Sequence, residues 1–167
     1  YHIVAITDFF RQGHGIYIWG DNDPYYVDAN RVSRSIFGIS MSGNSYGDQV
    51  VSLHSDGSIS GIVEDHLIGT GIVNIYEGIT IAEIQCNNAV LPLIYGSDGK
   101  VVSAYYDSDD CRAIIDGGFT RLCNKWDSAG TDRYIVNAAA WLANVERFTD
   151  AAADTQGEDI SREVDTW

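Results

Sequence analysis

Residues 15–36, GIYIWGDNDPYYVDANRVSRSI, predict a strand, a tight polar turn and a helix in succession. The apolar run IYIW stops at Gly20, and apolar residues recur at helical spacing after the turn. Asp23 followed by Pro24 is a typical N-cap and first-turn pair, because the first turn of a helix does not use the N–H that proline lacks. Such a unit is one step of an α/β sheet, whose ligands bind at the carboxyl ends of strands. We therefore expect residues 19–26 to line any site.

The rest of the chain alternates between helix and strand patterns. They predict a helix at 1–12, a strand at 49–54, a hairpin at 90–106, a buried strand (RAIID) at 112–116 and a helix at 132–147. A parallel sheet would normally place a strand before the first helix, so either the domain is permuted or its first strand lies before residue 1. We expect one α/β domain over residues 1–148, with a mostly parallel sheet, helices on both faces and an antiparallel hairpin at one edge. Residues 149–167 are expected to form an acidic tail or linker.

The charge of the chain narrows the classes of partner. Its formal net charge is −14, and duplex nucleic acids and anionic membrane surfaces both require a basic face. We therefore expect neither as a partner, whereas cations, neutral ligands and proteins stay open. No segment is long and apolar enough to suggest a membrane span. Cys111 and Cys123 could pair, but the three cysteines form no CxxC motif that would indicate a zinc site.

Residues 43–47, GNSYG, match the G-x-S-x-G pattern of a nucleophile elbow, with Ser45 as the nucleophile. The elbow needs a strand before the serine and a helix after it, because that sharp turn exposes the hydroxyl. Here a strand pattern follows the motif, so a flexible glycine loop is the favoured interpretation. A catalytic Ser45 would need His54 or His66 as its base.

Carboxylates and one histidine are further candidates for chemistry. Asp21 and Asp23 could offer oxygen ligands to calcium, although the segment lacks the glycine and distal glutamate of the 12-residue calcium loop. Asp23 is better explained as a helix cap. His66 could be a general base or contact a ligand, although a histidine that hydrogen-bonds a loop backbone is more common. Asp116 ends a buried strand at the same sheet edge as Asp21, where it could bind a ligand or cap the following turn.

The second half of the chain resembles a known family. Residues 66–72, HLIGTGI, are similar to the His-Pro-Ile-Thr-x-Gly segment of trehalose-utilisation (ThuA-like) proteins, and a hairpin, the strand CRAIIDGG and a helix with Trp141 follow in a similar order. These proteins belong to the class I glutamine amidotransferase-like superfamily, so the resemblance implies a flavodoxin-like three-layer α/β sandwich. The chain departs from the pattern: Leu67 replaces the proline, and no cysteine lies in a Gly-x-Cys-x-Gly elbow. No catalytic residue is carried over.

We therefore expect a non-catalytic ligand-binding or interaction domain that is part of a larger protein or assembly. Its partner would be a small polar ligand, such as a sugar, or a protein, and a homo-oligomer is open. The predicted binding surface comprises Trp19, Asp21, Asn22, Tyr25, Tyr26, His66, Asp116 and Arg121. One alternative is a hydrolase at the carboxyl edge of the sheet, using Ser45 or the pair Asp21 and Asp116. The other is a structural subunit of a polymer.

Overall fold

The computed structural model describes residues 2–148. Residue 1 and the predicted tail at 149–167 lie outside the described residues. The helices are α1 (His2–Arg11), α2 (Val27–Phe37), α3 (Phe119–Cys123) and α4 (Thr131–Leu142), with a short 3-10 helix at Leu67–Gly69. The strands are β1 (Ile16–Trp19), β2 (Met41–Tyr46), β3 (Val50–Val51), β4 (Leu53–His54), β5 (Gly61–Val63), β6 (Ile75–Tyr76), β7 (Thr80–Ile84), β8 (Leu91–Tyr95), β9 (Val101–Asp107) and β10 (Arg112–Asp116).

The main sheet is mixed, so the prediction of a mostly parallel, flavodoxin-like sheet is wrong. Its order is β1-β10-β9-β8-β5-β4. The pairs β1–β10 and β4–β5 are parallel, whereas β10–β9, β9–β8 and β8–β5 are antiparallel. The physical reason is that a tight turn joins β8 to β9, and connections this short can join only antiparallel strands. The predicted hairpin exists, but it lies in the middle of the sheet and not at an edge.

Two hydrophobic cores lie on opposite faces of this sheet, because successive side chains of a strand point to opposite faces. Ile114 of β10 belongs to the same core as Tyr134 and Trp141 of α4. Its neighbour Ile115 belongs to the other core, together with Phe10 of α1. The sheet is thus covered by α4 on one face and by α1 and α2 on the other.

Local patterns predicted some elements well and others wrongly. The RAIID strand is confirmed as β10, and the first helix as α1. Helix α2 begins at Val27, and the residue at its N-cap is Tyr26, which makes no side-chain capping bond. Asp23 is therefore not the cap; its carboxylate accepts a hydrogen bond from the Tyr26 hydroxyl at 3.0 Å.

Two further predictions are corrected by pairing between distant parts of the chain. The glycine- and serine-rich residues 38–47 contain strand β2, which pairs with β7. The strand predicted at 49–54 is divided between β3, which pairs with β6, and β4, which pairs with β5 in the main sheet. Cys111 and Cys123 are free thiols and form no disulfide.

Candidate functional site

The carboxyl ends of β1 and β10 lie side by side, as expected for adjacent parallel strands. Trp19 pairs with Asp116 in the register, and the Gly20 N–H donates to the Asp116 carbonyl at 2.8 Å. Backbone packing behind Asp116 is close: a Cβ at Gly117 would lie 2.2 Å from the Ala82 carbonyl oxygen. Only glycine fits there, and the chain can therefore turn sharply from β10 into α3.

Asp116 is fully buried and is the centre of a polar network. One carboxylate oxygen pairs with the Arg121 guanidinium and accepts the Gly118 N–H at 2.8 Å. The other accepts the Tyr17 hydroxyl at 2.5 Å and lies 3.5 Å from that of Tyr134. Burial, and then the charge of Asp116, raise the pKa of Tyr17 well above its ordinary value, so this phenol stays protonated and donates. The chain itself therefore satisfies both oxygens of this carboxylate.

Arg121 is equally enclosed. Its side chain is 0% exposed, and it also donates to the carbonyls of Tyr76 and Glu77 at 3.3 and 3.1 Å. Asp116 and Arg121, both predicted for the binding surface, are therefore buried in this structure. The reason is that the short helix α3 directs Arg121 back beneath the end of β10, where its charge is neutralised by Asp116.

The turn after β1 keeps part of the predicted surface together. Trp19 and Tyr25 are 54% and 73% exposed, and with Asp21 and Phe119 they line a cavity of about 300 Å³. Partial burial raises the pKa of Asp21, and the hydrogen bond from the Asn22 N–H at 2.9 Å opposes this shift. Aromatic faces and a carboxylate thus meet beside the carboxyl end of β1. Asn22 and Tyr26 lie in the same turn, but their side chains bond to Asp23, at its carbonyl and its carboxylate respectively.

His66 lies at the opposite end of the main sheet. Its ring contacts Trp141, whose carbonyl accepts a hydrogen bond from Arg112 at the start of β10. Since Asp116 ends that strand four residues later, roughly 13 Å separates the two positions at about 3.3 Å per residue. Nδ1 of His66 accepts the Ile68 N–H at 3.1 Å, and burial lowers the pKa of His66 to about 4. The imidazole is thus neutral at physiological pH and does not join the Asp21 turn.

A polar cavity of about 790 Å³ adjoins His66 at this end of the sheet. Its lining includes His54, Asp56, Asp65 and Tyr105. His54 stacks on Tyr95, with ring centroids 4.1 Å apart. Within residues 2–148, no group of three or more His, Cys, Asp or Glu side chains is placed to hold a metal ion. The weak calcium candidates Asp21 and Asp23 are not part of such a group.

Ser45 does not lie in an elbow. It is within strand β2, opposite Ile81 of β7, and its hydroxyl accepts a hydrogen bond from Lys100 at 3.1 Å. Lys100 also pairs with Glu83 at 3.3 Å. Because Ser45 lies within a paired strand, it lacks the sharp turn that a nucleophile elbow requires. Its hydrogen-bond partner among the described residues is Lys100 and not a histidine.

The open side of β1 is a feature that the sequence analysis missed. This strand ends the main sheet, and an apolar groove runs along each of its faces. The groove beside α1 and α2 measures about 680 Å³ and is lined by Ile6, Phe9 and Ile18, among others. The groove beside α3 and α4 measures about 480 Å³ and is lined by Trp19 and Leu122, among others. The sequence signal that could have indicated this surface is the second apolar side of α1, where Ile6 and Phe9 are 36% and 49% exposed.

Comparisons with known proteins show the fold alone. No protein-family model and no curated protein matches the sequence. A solved structure described as the mmIFT52 N-terminal domain matches with a TM-score of 0.63 and 13% identity, over 84% of this chain and 70% of that one. A cytoplasmic protein, STM1381 from Salmonella typhimurium LT2, matches with a TM-score of 0.57 and 12% identity, over 84% of this chain and 58% of that one. Neither description names the amidotransferase-like superfamily, so that resemblance stays a prediction.

Across residues 2–148, no helix combines the length and the hydropathy needed to span a membrane.

Proposed function

We propose that this chain is a non-catalytic interaction domain that binds a protein partner as part of a larger protein or assembly. The observation that carries the proposal is the cluster of exposed apolar and aromatic side chains around β1. Phe9, Trp19 and Tyr25 are each about half exposed or more: Phe9 and Trp19 line the grooves beside that strand, and Tyr25 lines the cavity at its carboxyl end. Contiguous exposed apolar surface of this kind is typical of protein-binding sites, where aromatic residues are enriched.

The state of the polar groups supports a binding role over a catalytic one. Asp116 is held by Arg121 and Tyr17, the hydroxyl of Ser45 is bonded to Lys100, and Nδ1 of His66 is bonded to the backbone. A catalytic base or nucleophile needs a free lone pair within reach of substrate. Asp21 alone among these candidates keeps a carboxylate without a cationic partner in the described residues, but its proposed partner Asp116 is engaged by Arg121 and Tyr17. A fold alone does not imply an activity.

A protein partner fits this surface better than a small polar ligand. The cavity beside Asp21 measures about 300 Å³, at the lower limit of cavities that enclose small molecules. The larger grooves along β1 are apolar and open, which suits side chains of a protein partner and not the hydroxyl groups of a sugar.

Comparative capture tests this function. The full chain, a Phe9→Ser/Tyr25→Ser variant and a control variant Ile59→Ser would be immobilised and exposed to an extract of the source cells, with retained proteins quantified by mass spectrometry. Ile59 is a suitable control because it is 68% exposed and lines neither groove. We expect a defined set of proteins to be retained by the wild type and the control and lost from the double variant.

Two outcomes would contradict the proposal. Identical sets on all three proteins would show that the surface around β1 is not used. Hydrolysis of an activated ester by the full chain that disappears in Ser45→Ala would instead favour the hydrolase.

A further inference from the structure

We propose that β1 is a docking site for an extended apolar segment of a partner protein, which joins the main sheet as an additional strand beside β1. The inference rests on the proposed interaction function and gives the chemistry of the partner: apolar side chains on both faces of the segment, and a lysine or arginine beside the carboxyl end of β1.

The backbone of β1 supplies the first argument. Successive residues of a strand direct their N–H and C=O groups to alternate edges, and the Gly20 N–H donates to Asp116 of β10. Ile18 therefore faces β10 as well, whereas the backbone groups of Tyr17 and Trp19 face the open edge. No strand lies on that side of β1 within residues 2–148. An unpaired strand edge is a template for pairing with another chain.

The grooves supply the second argument. A strand added beside β1 would direct alternate side chains to the two faces of the sheet. On one face they would meet Ile6 and Phe9 of α1, and on the other Leu122 of α3 and Ile135 of α4. A strand between two helical layers is buried on both faces and reads as a continuous apolar run. The occupant is therefore expected to be rich in Val, Ile or Leu at successive positions.

Charge supplies the third argument and selects the occupant. Asp21 and Asp28 both line the cavity at the carboxyl end of β1, and Asp28 also lines the groove beside α1. Asp28 pairs with Arg31 at 3.0 Å in an exposed ion pair, whereas Asp21 has no cationic partner among the described residues. A partner with a basic residue at this position would neutralise Asp21 as the site loses water.

The same charge argument disfavours the two occupants that this chain itself could supply. Residues 149–167 contain six acidic residues and a single arginine, and no run of Val, Ile or Leu. A second copy of the chain would bring another net charge of −14 to an already acidic surface. A separate protein segment with basic ends fits both the grooves and the charge.

A matched pair of variants at one position tests the role of the backbone. Trp19→Ala removes the indole but keeps the outward N–H, whereas Trp19→Pro removes the N–H as well. Proline is tolerated on an edge strand when its nitrogen faces outward, so the β1–β10 ladder is expected to survive. Circular dichroism and urea unfolding of both variants would check that the fold is kept.

The probe is a fluorescein-labelled peptide, Ser-Val-Ile-Val-Ile-Val-Gly-Lys-Lys, measured by fluorescence anisotropy with the full chain. A second peptide carries the lysines at its amino end, because the added strand can run in either direction. Controls replace the lysines by glutamates, or methylate the backbone nitrogen of every valine and isoleucine residue, so that the N–H groups are blocked on whichever edge faces β1. We expect one lysine peptide to bind, Trp19→Ala to weaken it about threefold and Trp19→Pro by more than about tenfold, and the N-methylated peptide not to bind.

Each contrary outcome overturns a defined part of the inference. Equal loss in Trp19→Ala and Trp19→Pro would mean that side chains dock without strand pairing, and equal binding of glutamate and lysine peptides would remove the charge argument. A dimer of the full chain that dissociates in Trp19→Pro would make a second copy the occupant. If Trp19→Pro does not fold, the N-methylated peptide still decides, since undiminished binding of it excludes strand addition. Failure of every peptide, with capture by the wild type unchanged, would overturn the docking mode and leave the interaction function in place.

Discussion

Asp21 follows β1, and Asp116 ends the adjacent parallel strand β10 at the same edge of the sheet. The two carboxylates nevertheless differ in their burial and in their bonding partners. Asp116 is fully buried. One of its carboxylate oxygens is bonded to Arg121 and Gly118, and the other to Tyr17. Asp21 is partly exposed and accepts one hydrogen bond, from the Asn22 N–H at 2.9 Å. The difference follows from the position of the two strands, since β10 lies between β1 and β9 whereas β1 ends the sheet. A carboxylate at the end of a strand is thus structural where neighbours enclose it and available where they do not.

The largest expected effect on stability comes from substitution of the enclosed carboxylate, Asp116. Asp116→Asn would leave the Arg121 charge buried without its counter-ion, so we expect the free energy of unfolding to fall by about 3–5 kcal/mol. Urea unfolding followed by circular dichroism measures it. A double variant, Asp116→Leu/Arg121→Met, removes both charges and should recover part of this loss, since the Gly118 N–H and the Tyr17 hydroxyl still lose their acceptor. A loss below about 1 kcal/mol in Asp116→Asn would show that the pair is not enclosed as described.

Glu77 tests whether a buried carboxylate needs a cation at all. It is 1% exposed, and its side chain accepts hydrogen bonds from the Gln49 N–H at 3.0 Å and from the N–H and hydroxyl of Ser97. Glu77→Gln would place an amide NH₂ against one of these donors, and we expect a loss of about 2 kcal/mol in urea unfolding. Glu77→Asp serves as a control that keeps the charge but shortens the reach. An unchanged midpoint in Glu77→Gln would mean that these backbone donors are satisfied without the carboxylate.

The pH dependence of stability sharpens the contrast between the two ends of the sheet. The pKa of His66 falls from 6.5 to about 4 on folding, chiefly through burial, so the folded state binds fewer protons than the unfolded state between these values. Above pH 6.5 the imidazole is neutral in both states and its titration does not affect stability. As the pH falls from 6.5 towards 4, the unfolded state takes up the proton first and the free energy of unfolding decreases. After allowance for partial exposure, we expect the wild type to lose about 1 kcal/mol more than His66→Asn between pH 7 and pH 5.

Urea unfolding at the two pH values measures this difference. Asparagine keeps an acceptor for the Ile68 N–H and removes the titration, so the capping bond is not confounded with the charge. His54→Asn is the matched control for a histidine in the same cavity. Parallel pH profiles for the wild type and His66→Asn would contradict the burial of His66.

Sequence patterns correctly predicted the elements that depend on residues close together in the chain. They failed for the elements that depend on pairing with distant segments. The strand β10 and the β8–β9 hairpin follow from short-range alternation and turn residues, and the exposed aromatics Trp19 and Tyr25 follow from the turn after β1. The mixed order of the sheet depends on pairings across the whole chain, which alternation does not encode. The same holds for Ser45, whose glycine-rich segment becomes a strand only because β7 pairs with it. Nothing local to Arg121 indicates that its side chain turns back to Asp116.

The smallest expected effect on stability comes from substitution of the exposed carboxylate, Asp21, and it tests the difference from Asp116 directly. Asp21→Asn keeps the size of the side chain and an acceptor for the Asn22 N–H. It removes the charge of a carboxyl group whose pKa is raised by partial burial. Because the folded chain gives this carboxylate no cation among the described residues, we expect unfolding to change by no more than about 0.5 kcal/mol, with any change towards greater stability. The same substitution at Asp116 costs several times more. If Asp21→Asn were as destabilising as Asp116→Asn, Asp21 would be a structural group, and the charge that selects a basic partner at β1 would no longer be available.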